Sequence, residues 1–182
     1  MSPPAPSGAG GLRIVGIDPG TYTMGYGIIQ IEGVQVTCLA SGAISVPRGL
    51  PLPERLRRLH VQLLAILERY QPQAAAVEQP FVAQNPRTAL VIGQGMAVAL
   101  LAAAQRGLTV ACYSPAKVKG AVAGHGGSSK LRVQQMVRLQ LGLAVDPEPS
   151  DAADALAVAL CHVQEQRLAE QVRAAEARGG PR

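Results

Sequence analysis

The first pattern along the chain is a pair of apolar runs separated by a sharp break, which predicts a β-hairpin. An apolar, β-branched run over 12–17 ends at Asp18, and a second apolar run covers 28–31. Pro19 has a fixed φ and no amide hydrogen, so the first strand must end there, whereas Gly20 can adopt a positive φ in the turn. The hairpin therefore holds the Asp18 carboxylate at its mouth on rigid backbone.

The pattern that follows predicts an α/β fold. Leucines recur every three or four positions from Leu52 to Leu67, which is the spacing of a helix with one apolar face. A short apolar strand then ends at Glu78 and is closed by a proline. A segment over 85–105 is apolar nearly all round, which favours a buried helix or a subunit contact. The further predicted elements are strands over 34–46 and 108–113, a short helix from Ser114 and Pro115, and helices over 129–141 and from Ser150 onward.

The composition is that of one globular domain. The chain has 182 residues, 48% of them hydrophobic, with no Trp and one Phe, so its core must consist of Leu, Val, Ile and Ala. We expect a flexible extension over 1–11, a domain over 12–164 and a polar, frayed tail over 165–182. The first residues do not form a secretory signal, and the longest apolar run is too short to cross a bilayer. A cytoplasmic protein without membrane contact is expected.

Charge is distributed unevenly along the chain. The formal net charge is +5 at pH 7, and the segment 79–145 contains no Asp or Glu. Such a segment suits a polyanionic partner, because each phosphate that a lysine or arginine neutralises releases condensed counterions. Nucleic acid is modestly favoured over a merely basic, well-solvated surface. The positive residues of this segment are Arg87, Arg106, Lys117, Lys119, Lys130, Arg132 and Arg138.

Four acidic residues outside the basic segment are candidates for chemistry. Asp18 and Glu78 each end a predicted strand, where open α/β sheets bind their ligands. Asp151 and Asp154 lie three apart on the first turn of the last helix. Alternatively, these acids only cap turns and the helix, and the helix dipole explains Asp151 well but Asp154 less well. Four converging carboxylates repel one another unless they bind a hard cation such as Mg²⁺ or Mn²⁺, and a pair of such ions suits phosphodiester cleavage.

Several further residues are candidates for contacts with nucleic acid. A glycine-rich loop over 124–129 leads into a helix with Lys130 in its first turn, an arrangement that binds anions but lacks the spacing of a nucleotide-binding P-loop. His125 in this loop is either a phosphate contact or an ordinary loop residue. Phe81 is either a core residue or stacks against an exposed base. The other basic candidates are Arg87, Lys117 and Lys119.

Five short motifs occur in a fixed order along the chain. They are GIDPGT at 16–21, VEQPF at 77–81, GQG at 93–95, AGHG at 123–126 followed by Lys130, and DAADAL at 151–156. Together they resemble the RuvC family of bacterial Holliday junction resolvases, over roughly 12–162. The extension before this region and the tail after it lie outside the shared pattern.

The resemblance implies an RNase H-like α/β fold, with a five-stranded mixed sheet flanked by helices. It implies a homodimer that binds a four-way DNA junction in recombination and repair and makes paired, symmetric nicks with 5′-phosphate and 3′-hydroxyl ends. It also implies two Mg²⁺ or Mn²⁺ ions per subunit, an attacking water that the metal activates, and the RuvA–RuvB branch-migration complex as a partner. The implied metal ligands are Asp18, Glu78, Asp151 and Asp154, and the implied DNA contacts are Phe81, Lys119 and Lys130.

Three other functions share part of this pattern. The GIDPGT turn is similar to the phosphate-binding hairpin of the actin, Hsp70 and sugar-kinase ATPases, but those proteins need two such lobes and this chain has the length of one. A small ribosomal-RNA-processing nuclease of the same fold would share the carboxylates but not the full set of Phe81, Lys119 and Lys130. A DNA-binding module without catalysis would use the acids only as caps, and Glu78→Gln would then leave its function intact.

Overall fold

A computed structural model describes residues 11–79 and 86–178 of the chain. Phe81 lies outside these residues. The described elements agree in type and order with those predicted from the sequence pattern. They are β1 (Leu12–Asp18), β2 (Thr23–Glu32), β3 (Gln35–Ser45), α1 (Leu52–Tyr70), β4 (Ala74–Glu78), α2 (Pro86–Gln105), β5 (Thr109–Tyr113), α3 (Pro115–Ala123), α4 (Lys130–Leu141) and α5 (Ser150–Arg178).

The strands form one mixed sheet in the order β3-β2-β1-β4-β5. Strand β2 pairs antiparallel with both β1 and β3, whereas β4 pairs parallel with β1 and with β5. The five-stranded mixed sheet predicted from the sequence is therefore confirmed. Because β1, β4 and β5 are parallel, their carboxyl ends meet at the same edge of the sheet.

Helices cover both faces of the sheet and bury a separate apolar cluster on each. On one face α1 and α2 pack through residues such as Leu63 and Ala99, and on the other face α3, α4 and α5 pack through residues such as Val122, Val137 and Leu156. The core consists of Ile, Leu, Val, Ala and Met side chains, which agrees closely with the composition. Side chains alternate between the two faces along each strand, so the position of a residue decides which helices it meets.

Helix α1 begins and ends where the sequence signals predict. A proline stands at the start of the helix, where its missing amide hydrogen leaves no hydrogen bond unmade. Leu59, Leu63 and Leu67 form its buried face. The helix ends at Gln71, which has a positive φ of 46° and donates its backbone N–H to the Leu67 carbonyl. The next residue is a proline, which cannot continue a helix.

Helix α5 approaches β1 and β2 so closely that the strands need glycine there. A Cβ atom built on Gly16 would overlap the carbonyl oxygen of Ala155, and one built on Gly25 would overlap that of Asp151. The backbone of α5 therefore lies directly against the sheet. This contact brings the first turn of α5 to the strand end that carries Asp18.

The end of α5 differs from the sequence prediction. The helix continues without a break to Arg178, so residues 165–178 are helical and not frayed, although the residues from Arg167 to Ala177 are solvent-exposed as expected. Ala, Glu, Gln, Leu and Arg dominate this stretch, and these residues have high helix propensity. Among the described residues, none of the helices is both long and apolar enough to cross a membrane.

Candidate active site

Asp18 and Glu78 are the last residues of two adjacent parallel strands. Ile17 pairs with Val77 in the register of β1 and β4, so the two acids follow at neighbouring positions. By the alternation along each strand, both side chains project to the face that α5 covers. Two carboxylates are thus fixed side by side at the sheet edge, as the sequence predicted.

The first turn of α5 brings Asp151 and Asp154 to the same place. The Asp151 main chain lies against Gly25, the residue paired with Asp18 across the hairpin. The Asp154 carboxylate accepts a hydrogen bond from Nζ of Lys130, 2.6 Å from Oδ2, with 24% of the aspartate side chain exposed. The glycine contact and the ion pair therefore fix both ends of the helix turn that carries the acids.

The electrostatics of the strand-end acids show that the carboxylates influence one another. Burial, together with the smaller effect of the negative charges of Asp18 and Asp154, raises the pKa of Glu78 to about 7. Burial likewise raises the pKa of Asp18 to about 6, with smaller contributions from Asp154 and Asp151. Lys130 opposes both shifts. A partly buried cluster of like charges is an arrangement that a bound cation stabilises.

The donor set fits a hard divalent cation. Mg²⁺ prefers oxygen ligands and is commonly bound through one or two carboxylates, with water and substrate phosphate completing its shell. Within residues 11–79 and 86–178, no three His, Cys, Asp or Glu side chains form a ready-made cage for one ion. The carboxylates nevertheless face each other across the gap between the sheet edge and α5. Such a partial shell leaves room for the phosphate of a substrate.

A cavity of about 230 Å³ opens beside these acids and is lined by both charge types. Lys119 on α3 and Lys130 on α4 line it together with Glu78 and Asp154, and Lys119 lowers the pKa of Glu78. The acids suit metal ions, and the lysines suit phosphate oxygens. The lining residues are Glu78, Pro115, Val118, Lys119, Lys130, Val133, Asp154 and Ala157.

Lys117 and His125, two other sequence candidates, are not among the residues that line this cavity. Lys117 forms an ion pair with Glu165 of α5, with 2.6 Å between Nζ and Oε2. His125 accepts a hydrogen bond at Nδ1 from the Gly127 backbone, 3.0 Å away, so its ring orders the glycine-rich loop. Arg87 lies in the first turn of α2, and its side chain is not described. The DNA contacts predicted for these residues and for Phe81 stay predictions.

Sequence reasoning missed a polar pair next to the site. The hydroxyl of Tyr113, the last residue of β5, lies 2.7 Å from Nδ1 of His162 on α5. The sequence pattern predicted His162 only as a packed helix residue, and the side chain is indeed buried. The available clue was that Tyr113 ends a third parallel strand, in register with Glu78. The chain alone could not show which residue of α5 the tyrosine meets.

The raised pKa values predict a pH-dependent stability that divalent metal reverses. Between about pH 4 and 7 the folded protein holds protons on Asp18 and Glu78 that the unfolded chain has released, so the free energy of unfolding should fall as pH rises. Bound Mg²⁺ favours the ionised acids and should flatten or reverse this trend. Thermal unfolding at pH 5 and pH 8, in EDTA and in Mg²⁺, measures both effects. Glu78→Gln should reduce the slope in EDTA, and an unchanged slope would contradict the assignment.

The sequence of this chain matches known proteins of a single family. Residues 14–162 match the family model described as crossover junction endodeoxyribonuclease RuvC. A protein of that name from Chloroflexus aggregans is 54% identical over 151 residues, which cover 83% of this chain and 92% of the relative. The namesake from Dehalococcoides mccartyi is 50% identical, over 83% of this chain and 90% of its own.

Solved structures agree with the sequence matches. The Thermus thermophilus RuvC structure in complex with a Holliday junction substrate has a TM-score of 0.81 and 37% identity, over 87% of this chain and 96% of that one. The yeast mitochondrial resolvase Ydc2, at 18% identity and a TM-score of 0.63, shares the fold. The RNase H-like fold expected from the sequence is confirmed. This chain belongs to the RuvC family of metal-dependent crossover junction endodeoxyribonucleases, which resolve Holliday junctions.

Proposed function

We propose that the chain performs this reaction at a divalent-metal site formed by Asp18, Glu78, Asp151 and Asp154. The observation that carries the proposal is the mutual effect of these acids: two strand-end carboxylates have raised pKa values because they are buried and face the acids of α5. Mg²⁺ or Mn²⁺, two ions per subunit, fits this oxygen donor set. Each subunit makes one of two symmetric nicks and leaves 5′-phosphate and 3′-hydroxyl ends.

The lysines near the acids and the elements that carry the acids have separate roles in the proposed reaction. Lys119 and Lys130 line the same cavity as Glu78 and Asp154 and bind the phosphates on either side of the cut. Lys130 also neutralises Asp154 when the substrate is absent, since the two groups are ion-paired. The chemistry that bound divalent ions supply is activation of the attacking water and stabilisation of the leaving oxygen. The protein contributes placement, through the rigid ends of β1 and β4 and the first turn of α5.

A synthetic four-way junction tests the reaction most directly. Paired nicks that require Mg²⁺ or Mn²⁺, stop in EDTA and are absent from linear duplex of the same sequence are expected. Binding without cutting under every metal would favour a DNA-binding module. Cutting of RNA instead would favour a ribosomal-RNA nuclease.

Replacing Lys119 by Ala should weaken junction binding and reduce its salt dependence. The lysine lines the cavity beside Glu78, so its loss removes about one phosphate contact, and the slope of log Kd against log salt should fall by about one. Binding titrations at several salt concentrations measure this slope. Arg69→Ala is a matched control, because it removes one positive charge from the last turn of α1, away from the acid-bearing strand ends. An equal effect of both variants would remove Lys119 from the interface.

We infer a homodimer from family membership and from the exposed surface of α2. Leu90 and Leu101 on this helix are 66% and 54% exposed, and after Arg87 the helix carries no charged residue. A second copy of the chain would cover this apolar surface. Leu90→Glu combined with Leu101→Glu should yield a monomer in light scattering. A variant that stays dimeric would place the interface elsewhere.

The remaining contacts are proposed from the family resemblance for Phe81, from the basic segment for Arg87 and Lys117, and from the glycine-rich loop for His125. Phe81 stacks against bases at the junction centre, and Arg87, Lys117 and His125 extend the phosphate contacts around the cavity. The RuvA–RuvB branch-migration complex is the expected partner in the bacterial cytoplasm. A resolvase assay with and without this complex tests the partnership. An unchanged rate and unchanged choice of cutting site would argue against it.

A further inference from the structure

Tyr113 and His162 form a partly buried polar contact that the cleavage reaction does not use directly. The tyrosine hydroxyl lies 2.7 Å from Nδ1 of His162, and the ring centroids are 5.8 Å apart at an interplanar angle of 60°. His162 is 7% exposed. Burial lowers the pKa of His162 and raises that of Tyr113 to about 12, so both groups are neutral at physiological pH. The contact is therefore a directional hydrogen bond between uncharged groups.

The backbone of Tyr113 holds the strand end that carries Glu78. Tyr113 pairs with Glu78 in the parallel register of β4 and β5. Its carbonyl oxygen accepts a hydrogen bond from the Gln79 N–H, at 2.8 Å. The same residue thus fixes the Glu78 strand end with its main chain and reaches α5 with its side chain.

The histidine belongs to the helix that carries the other two acids. His162 follows Asp154 by eight residues, roughly 12 Å along a helix with a rise of 1.5 Å per residue. A helix is stiff over this length, so a contact that fixes His162 also fixes the position of Asp154 along the helix axis. The Tyr113–His162 hydrogen bond therefore links α5 to β5, the strand that pairs with the one ending at Glu78.

The contacts of α5 with β1, β2 and α3 define its axial position less well. Toward β1 and β2 the helix backbone packs against Gly16, Gly25 and Gly27, which sets how close the helix lies but gives no directional bond. One turn beyond the histidine, Glu165 pairs with Lys117 of α3, but their side chains are 31% and 49% exposed. Exposed ion pairs stabilise little, because water screens the charges. The Tyr113–His162 hydrogen bond thus adds a directional contact between α5 and β5, besides the Lys130–Asp154 ion pair at the start of the helix and the Arg167 contact with the Val34 carbonyl.

Burial makes the pair sensitive to the loss of either member. Among the described residues, Nε2 of His162 has no hydrogen-bond partner, so the Tyr113 hydroxyl is the single hydrogen-bond partner of the imidazole ring. Without that hydroxyl both ring nitrogens would be buried and unpaired, which is unfavourable. We expect α5 to shift when a new hydrogen-bond partner for the His162 ring lowers this cost.

We propose that Tyr113 and His162 are a positioning pair, which holds α5 against β5 and, through the pairing of β5 with β4, sets the gap between Glu78 and the acids Asp151 and Asp154. The inference rests on the proposed metal site. Neither residue touches substrate or ligates metal. Small displacements of a coordinating group matter, because productive sites require their groups to be placed within about 0.5 Å.

Tyr113→Phe tests the pair, because it removes the hydroxyl and keeps the ring. Mn²⁺ affinity of the DNA-free protein, measured by electron paramagnetic resonance of the free ion, should weaken about tenfold, in the range seen when groups that orient metal ligands are lost. The Mg²⁺ concentration for half-maximal cleavage should rise similarly. Junction affinity in EDTA should stay within about twofold, and the shape of the pH–rate profile should not change.

Further variants separate positioning from stability. His162→Gln retains a hydrogen-bonding group and should keep most of the Mn²⁺ affinity, whereas His162→Leu should lose as much as Tyr113→Phe. The double variant Tyr113→Phe/His162→Leu should lose no more than either single variant. Tyr70→Phe, at the far end of α1, is the matched control for loss of a hydroxyl.

Two outcomes would overturn the inference. A lower melting temperature with unchanged Mn²⁺ affinity in both Tyr113→Phe and His162→Leu would show that the pair only stabilises the fold. Equal loss in the control Tyr70→Phe would show that the effect is not specific. Failure of the metal site itself has a different signature, since Glu78→Gln would then bind Mn²⁺ and cleave junctions as the parent chain does.

Discussion

Replacing Glu78 by Gln should abolish cleavage of a four-way junction and leave binding intact. Gln has the same shape but supplies no negative oxygen, so the predicted metal site loses a ligand at the end of β4. Metal ions contribute several kcal/mol to transition-state stabilisation. A loss of about 4 kcal/mol lowers the rate roughly a thousandfold. Single-turnover cleavage in Mg²⁺ and junction binding in EDTA measure the two effects separately.

Controls for this substitution come from the same chain. Asp18→Asn and Asp154→Asn should behave as Glu78→Gln does, because all three remove a carboxylate from one cluster. Glu170→Gln makes the same chemical change on the exposed part of α5 and should leave cleavage unchanged. The loss of activity should not come from unfolding, since removing one charge from a repelling group relieves repulsion. Full activity of purified Glu78→Gln would refute the metal site.

The acids could be predicted from the sequence because local rules place them. Pro19 ends β1 immediately after Asp18, and β4 ends at Glu78 shortly before Pro80, so both acids belong to strand ends whatever the rest of the chain does. Parallel pairing of β1 and β4 then makes them neighbours. The three-residue spacing of Asp151 and Asp154 places them on one face of a helix turn.

The contacts between distant elements could not be predicted in the same way. The 2.6 Å pairing of Lys130 with Asp154 depends on how α4 lies against α5, which no local pattern encodes. The same holds for Tyr113 and His162, which are 49 residues apart in sequence. Resemblance to a family named Lys130 as a DNA contact, but it did not indicate that the lysine also pairs with the Asp154 carboxylate.

The role of the glycines in β1 and β2 is likewise visible only from the packing of the helices against the sheet. In sequence, a glycine inside a strand indicates a bulge or a close approach of backbone, without saying which element approaches. The structure identifies that element as α5 for Gly16, Gly25 and Gly27. This contact matters at the site, since the acids of α5 come close to Asp18 because the strand positions directly beneath the helix are glycines without side chains.

Gly16→Ala should therefore damage both stability and cleavage. The new Cβ would overlap the Ala155 carbonyl oxygen and lie 2.8 Å from the Ala159 nitrogen, so backbone must move. Overpacking of this kind destabilises by about 1–3 kcal/mol or more. For a chain of this size that lowers the melting temperature by roughly 2–4 °C per kcal/mol. Because α5 moves away from β1, cleavage should fall at temperatures where the variant is still fully folded, together with the affinity for Mn²⁺.

A matched glycine separates this effect from backbone stiffening. At Gly49, before α1, an added Cβ meets no described atom within 4 Å and the φ is not positive, so Gly49→Ala should change neither melting temperature nor cleavage. Thermal unfolding, Mn²⁺ binding and junction cleavage of both variants complete the test. A stable, fully active Gly16→Ala protein would mean that α5 can lie farther from β1 without loss. In that event Asp18 and Asp154 would not need the close helix approach, and the metal site would have to tolerate a wider gap between them.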